Sequence, residues 1–162
     1  MQLASRKQAE ETLRYLLADL YRGHPEDNVI RRIRGAILSH TFDYDARTLM
    51  LEFPVEDWMT NSRHVMHGGI IAICADVVCG VLSRTMYGFY SPTVTLSITY
   101  LRAAFCGDAV RVTARAAHLG HNTAHFTIEV VSRDTGALLA TASDINFTGG
   151  VTLEKQPPEN AT

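Results

Sequence analysis

The chain has little that would tie it to a polyanion, an oxidising compartment or a common cofactor. Its 162 residues carry 15 Lys and Arg against 17 Asp and Glu, a net charge of −2. There is no Lys/Arg-rich tract and no RNA-binding aromatic motif, so no field draws it to nucleic acid or anionic membrane. Three cysteines, Cys74, Cys79 and Cys106, are too few and too odd for a disulfide framework, and they fit a reducing compartment. Cys74 and Cys79 point in different directions on one apparent helix and read as core fillers. The start, Met1-Gln2-Leu3-Ala4-Ser5-Arg6-Lys7, leads into polar residues and not into a signal-peptide apolar stretch. The apolar run 69–82 is shorter than the roughly 20 residues of a bilayer span. A cytoplasmic protein is expected. No Gly-x-Ser-x-Gly elbow, dinucleotide glycine fingerprint or phosphate-binding loop is present, which sets aside serine hydrolases, dehydrogenases and common nucleotide enzymes. His64 and His67 have no second pair at ligand spacing, so no metal is implied, and no internal repeat is found.

What is present describes one globular domain. A hydrophobic share of 46% with 20% charge supports a sizeable core. Ser5 to Arg22 reads as an amphipathic helix with Ala9, Leu13, Leu16, Leu17 and Leu20 on one stripe, Ser5 as N-cap, and Gly23 with Pro25 as the stop. A short helix follows over Asn28–Arg34. Ala36–Tyr44 and Thr48–Val55 read as a hairpin around Asp45-Ala46-Arg47, with Leu49, Leu51, Phe53 and Val55 on one face. A helix is expected from about His67 to Met86. Four strands come after it, near 93–100, 110–117, 123–130 and 137–147. In the first, Thr93-Val94-Thr95-Leu96-Ser97-Ile98-Thr99-Tyr100 alternates small hydroxyls with apolar side chains. Gly107-Asp108, Gly120-His121-Asn122 and Asp134-Thr135-Gly136 mark the turns. The order predicts a hairpin, one buried helix, and a four-strand antiparallel meander. Residues 1–27 read as a helical extension, 28–150 as the domain, and 151–162 as a polar tail.

The segment His67-Gly68-Gly69-Ile70-Ile71-Ala72-Ile73-Cys74-Ala75-Asp76 is the most informative. From Gly69 to Leu82 the only charged residue is Asp76. A helix apolar on every face is normally buried, and an ionised carboxylate is rarely buried without a partner. One sheet covers only one side of such a helix, so a second subunit is the expected cover on the other. Chemistry is one explanation of the lone acid. A structural Asp bonded to neighbouring backbone or to the partner subunit is the other.

Asn61, His67-Gly68-Gly69 and Asp76, at their spacings of six and nine residues about the histidine, resemble the hotdog-fold acyl-CoA thioesterases. The likeness is closest to the branch that includes the phenylacetyl-CoA and human-type acyl-CoA enzymes. Ile98-Thr99-Tyr100-Leu101-Arg102, Gly107-Asp108 and Leu119-Gly120 sit where that family places its strand and turn markers. Two positions depart from it. Ala103 stands where a proline commonly follows the Arg, and His121 where a basic side chain often follows the later glycine.

The resemblance implies an α+β hotdog fold, an antiparallel sheet wrapped around one long helix, acting as a homodimer or dimer of dimers on an acyl-CoA substrate with no cofactor. It assigns Gly68 as oxyanion donor, and it implies that Asn61 and Thr93 orient the attacking water. His67 would fix the loop or the approach to the carbonyl, and Gly69 would let the thioester oxygen come close. Asp76 could be general base or nucleophile. Its burial is expected to oppose ionisation while hydrogen bonds favour it. Gly68 and Asp76 are eight residues apart, about 12 Å along a helix. One helix cannot bring both to one thioester, so the two roles fall to two copies. Arg102 and Arg111 are candidates for coenzyme A phosphates, against a plain solvated reading. His118, His121 and His125 read as solvated or interface residues. The competing function is a non-catalytic acyl-CoA binder or sensor on the same fold.

Overall fold

The computed structural model describes residues 3–19 and 28–149. The stop signals after the first helix, the boundary at residue 27 and the polar tail 151–162 lie outside the described residues. Helix α1 spans Arg6–Asp19. It opens on a capping box: the Gln8 N–H donates to Ser5 Oγ at 3.4 Å, and the Ser5 N–H donates to Gln8 Oε1 at 2.9 Å. Ala9, Leu13 and Leu16 are buried, the stripe expected from their spacing. Helix α2 spans Val29–Gly35, with the Asn28 side chain accepting from the Ile30 N–H.

The hairpin forms between β1 (Ser39–Asp43) and β2 (Thr48–Pro54). Leu49, Leu51 and Phe53 are fully buried. After a single 3-10 turn at Asp57–Met59 comes helix α3, Gly68–Tyr87, which ends on Gly88 in the left-handed conformation with φ 79°. Strands β3 (Thr93–Tyr100), β4 (Ala109–Leu119), β5 (Thr123–Ser132) and β6 (Leu138–Phe147) follow among the described residues. All pairs are antiparallel, in one six-stranded sheet of order β1-β2-β4-β5-β6-β3.

The expected four-strand meander is therefore corrected to three, β4-β5-β6. Strand β3 lies at the far edge, paired with β6. The cause is α3, which runs between β2 and β3 and sets β3 down on the opposite side of the sheet from the hairpin.

The second correction concerns cover. The chain supplies part of it: α1 and α2 both pack on α3, and the Ala4 N–H donates to the Met86 carbonyl at 2.9 Å. What stays half-open is one stripe of α3, made of Gly69, Ala72, Ile73, Asp76, Gly80 and Arg84. These positions recur at three- and four-residue steps and so share a face. Asp76 lies on that stripe and is not sealed within one chain. Length does not separate α3 from a membrane span as the apolar run 69–82 suggests. At 20 residues the helix is long and apolar enough to cross a membrane, but its packing against sheet and helices is that of a core helix.

Candidate functional site

The residues named from sequence fall into two clusters on one chain, one at the start of α3 and one two turns along it. At the start, His67 is the N-cap. Its Nδ1 accepts from the Gly69 N–H at 3.2 Å, so the Gly69 donor is already engaged. The Gly68 N–H has no acceptor among the described residues. It lies at a helix N-terminus, where orphan donors and the macrodipole favour negative charge. Tyr100, the last residue of β3, donates from its hydroxyl to the Gly68 carbonyl at 2.8 Å. A Cβ on Gly68 would meet the Tyr100 ring at 3.1 Å. A larger residue there would make the tyrosine ring give by a few tenths of an ångström, so glycine suits the tyrosine as well as a ligand. In the sequence Tyr100 stands out only as part of a strand marker, and a terminal strand residue carries no signal of such a contact.

Asn61 stands in the loop that leads to this cluster. That loop is tied back by the His67 N–H donating to the Met59 carbonyl at 2.8 Å. The Asn61 Oδ1 accepts from the Arg63 N–H at 2.9 Å, a local turn contact. It contacts neither Asp76 nor Thr93 of its own chain.

In the second cluster, Thr93 Oγ1 donates to Asp76 Oδ1 at 2.8 Å. The other Asp76 oxygen has no partner among the described residues. This contact depends on an irregularity. Pairing of β3 with β6 runs Leu96 with Asp144, but Thr93 with Asn146, with the shift between Thr93 and Thr95. In an unbroken strand Val94 would share the inner face with Leu96 and Ile98. The bulge turns Thr93 inward instead, and Val94 is left 61% exposed. Behind Thr93, Asn146 Nδ2 donates to Thr93 Oγ1 at 3.3 Å and to Asp144 Oδ1 at 2.6 Å. Sequence reasoning missed both Asp144 and Asn146. A signal existed: they share parity with Ala140 and Ala142, which marks polar side chains on the core face of a strand.

Other candidates lie apart from these clusters. Arg111 donates to Glu52 at 2.8 Å, so it is committed to an ion pair. Arg102 donates to the Leu138 carbonyl at 2.8 Å. His118 and His125 pack edge to face with centroids 5.7 Å apart, and His121 Nδ1 lies 2.9 Å from Asn122 Oδ1. A recess of about 650 Å³ lined by Leu3, Gln8, Thr12, Tyr44 and Tyr87 lies under α1 and touches none of the named site residues. The chemistry-bearing groups stand at the partly open surface instead.

The sheet on a single long helix is the hotdog fold, and residues 64–139 of the chain match the model of the thioesterase superfamily. The chain is distantly similar to several proteins. A putative esterase of Archaeoglobus fulgidus is 34% identical over 49% of this chain and 51% of its own length. Acyl-coenzyme A thioesterase 13 of Mus musculus is 30% identical over 57% of this chain and 66% of its own. The chain thus spans between half and two thirds of the curated relatives it matches. Zebra fish thioesterase superfamily member 2 superposes with a TM-score of 0.73 at 21% identity, covering 86% of this chain and 97% of that one. The PaaI protein of the E. coli phenylacetic acid degradation operon gives 0.72 at 19%, covering 89% and 95%. A Streptococcus mutans protein solved with acetyl-CoA bound gives 0.61 at 24%, covering 67% and 87%. At these structural identities the likeness is one of fold.

Proposed function

We propose that the chain hydrolyses acyl-CoA thioesters to acid and coenzyme A at a site shared between two copies. The observation that carries this reading is the open α3 stripe. It presents Asp76 with one oxygen held by Thr93 and the other free, on a helix whose first turn offers an unused Gly68 N–H. The two lie about 12 Å apart along the axis, so one thioester reaches both only if a second copy supplies one of them. The exposed edge strand β3, with Val94 61% and Tyr100 51% exposed, offers unpaired backbone groups suited to bringing a second copy alongside.

In this site the thioester carbonyl oxygen meets the Gly68 N–H of one copy. The donor at a helix N-terminus stabilises charge as it develops there, and loss of such a donor costs on the order of 2.7–4 kcal/mol of barrier stabilisation. Asp76 of the other copy takes a proton from water, or attacks the carbonyl carbon itself. Thr93 holds its orientation. His67 caps the helix and so aims the Gly68 N–H, and Asn61 borders the loop from which water or substrate enters. Coenzyme A recognition is supported by the acetyl-CoA-bound relative of the same fold. A reducing, cytoplasmic setting belongs to the same proposal and rests on the sparse, odd cysteine set of the sequence.

Asp76→Asn tests the reading. The variant should fold as the parent does and release thiol from a panel of acyl-CoAs about 10²–10⁴-fold more slowly, the range general acid–base catalysis contributes. Parental rates in the variant rule out Asp76. Coenzyme A ester binding with no thiol release by the parent favours the binder or sensor reading.

A further inference from the structure

Behind Asp76 lies a second carboxyl group that the reaction above leaves unused. Asp144 and Asn146 stand on the inner face of β6, 1% and 0% exposed. Asn146 Nδ2 has two hydrogens, and both are committed: one to Asp144 Oδ1 at 2.6 Å, one to Thr93 Oγ1 at 3.3 Å. Thr93 accepts there, so its single proton is left for Asp76 Oδ1 at 2.8 Å. The hydrogen bonds run one way, from amide to hydroxyl to carboxylate. An amide is nearly symmetric in shape and can be turned end for end. Turned, Asn146 would face Thr93 with its oxygen and draw the hydroxyl proton away from Asp76. The acceptor that keeps the nitrogen end in place is Asp144.

Asp144 is a poor choice for filling space. Its Oδ2 and the Asn146 Oδ1 are buried with no hydrogen-bond partner among the described residues. From α3 the Asp76 carboxylate and the Cys79 thiol lie within electrostatic reach of it. Its cross-strand partners are the apolar Leu96 on β3 and Phe126 on β5. Burial first, and then the Asp76 charge, push the Asp144 carboxyl up to about 7. Burial, followed by the charges of Asp144 and Asp76, holds the Cys79 thiol well above its usual range and therefore uncharged. An apolar side chain would serve packing at lower cost.

We propose that Asp144 is a positioning residue for Asp76: it fixes the Asn146 amide so that Thr93 keeps its proton on one Asp76 oxygen and leaves the other free to react. The inference rests on the thioesterase reading for its kinetic consequence and on the hydrogen-bond chain alone for its structural one.

Two variants separate the acceptor from the charge. Asp144→Leu removes both, and Asp144→Asn keeps one acceptor oxygen, puts an amide nitrogen in place of the other and removes the charge. Leu should lower kcat at least ten-fold with KM within two-fold of the parent, and Asn should recover most of that loss. Parental kcat in a folded Leu variant, or equal loss in the Asn and Leu variants, overturns the proposal. Crystal structures of both variants read the same idea without turnover. The Thr93 Oγ1–Asp76 Oδ1 contact should persist in Asp144→Asn and open beyond hydrogen-bond distance in Asp144→Leu. A Leu variant that keeps the contact overturns the proposal whatever its kinetics. A parent inactive on every thioester, with the contact behaving as stated, removes the hydrolase reading and supports the hydrogen-bond chain.

Discussion

Glu52 and Asp144 are both carboxylates on sheet strands, 7% and 1% exposed, and their surroundings are opposite. Glu52 stands on the outer face of β2. Arg111 bonds it at 2.8 Å and Arg133 approaches it at 3.7 Å. Asp144 stands on the inner face of β6 with an amide on one oxygen, no partner on the other among the described residues, and the negative Asp76 nearby. A carboxylate that serves the fold is matched with cations. One left without them stores free energy that packing alone does not explain, and perturbed groups of this kind concentrate where chemistry is done. Their partners thus sort two similar residues, which composition and pattern cannot do.

The contrast breaks most readily on the pH dependence of stability. Asp144 is raised from 3.8 to about 7 in the folded chain. Its contribution is fully present below pH 3.8 and is lost as pH rises through about 7, because only the folded state holds the proton in between. The loss should amount to a few kcal/mol, since each tenfold gain in proton affinity on folding is worth about 1.4 kcal/mol. Urea denaturation at pH 4 to 8 should show this decline in the parent and not in Asp144→Asn; superimposable profiles refute the contrast.

Glu52→Gln should act in the other direction and more weakly. The arginine side chains are 45% and 38% exposed and can return to water. The expected cost is therefore about 1 kcal/mol, well under the roughly 3–5 kcal/mol of a fully buried pair, with thioester hydrolysis unchanged. A larger loss of activity than of stability would place Glu52 with Asp144. Tyr100→Phe sets the floor. It removes one half-exposed hydrogen bond to Gly68, worth about 0.5–1 kcal/mol, and should lower kcat/KM several-fold with little change in the denaturation midpoint.

How much of this could be read from sequence follows from which forces are local. Period-two alternation located β2, β3, β4 and β5, turn signals bounded β1 and β6, and the uninterrupted apolar run around Asp76 located α3. Capping residues Ser5, Asn28 and His67 announced themselves or stood one position from the expected start. The motif from Asn61 to Asp76 gave most of the named site. Partnering was not local and was not legible. The place of β3 at the far edge depends on where α3 delivers it. The inward turn of Thr93 depends on one extra residue, Val94, and the apparent alternation of 93–100 concealed it by putting all four hydroxyls on one face. Asp144 and Asn146 looked like ordinary strand residues until Ala140 and Ala142 were seen to face the core.

One strand grips α3 at two points: Thr93 at its beginning holds Asp76, and Tyr100 at its end holds Gly68. In the proposed site, base and oxyanion donor are therefore not separately adjustable. A compound or peptide that peeled this outermost ribbon from its neighbour would misalign both at once, without ever occupying the pocket. Improvements made at one catalytic group by directed evolution should reach the other through the same eight residues.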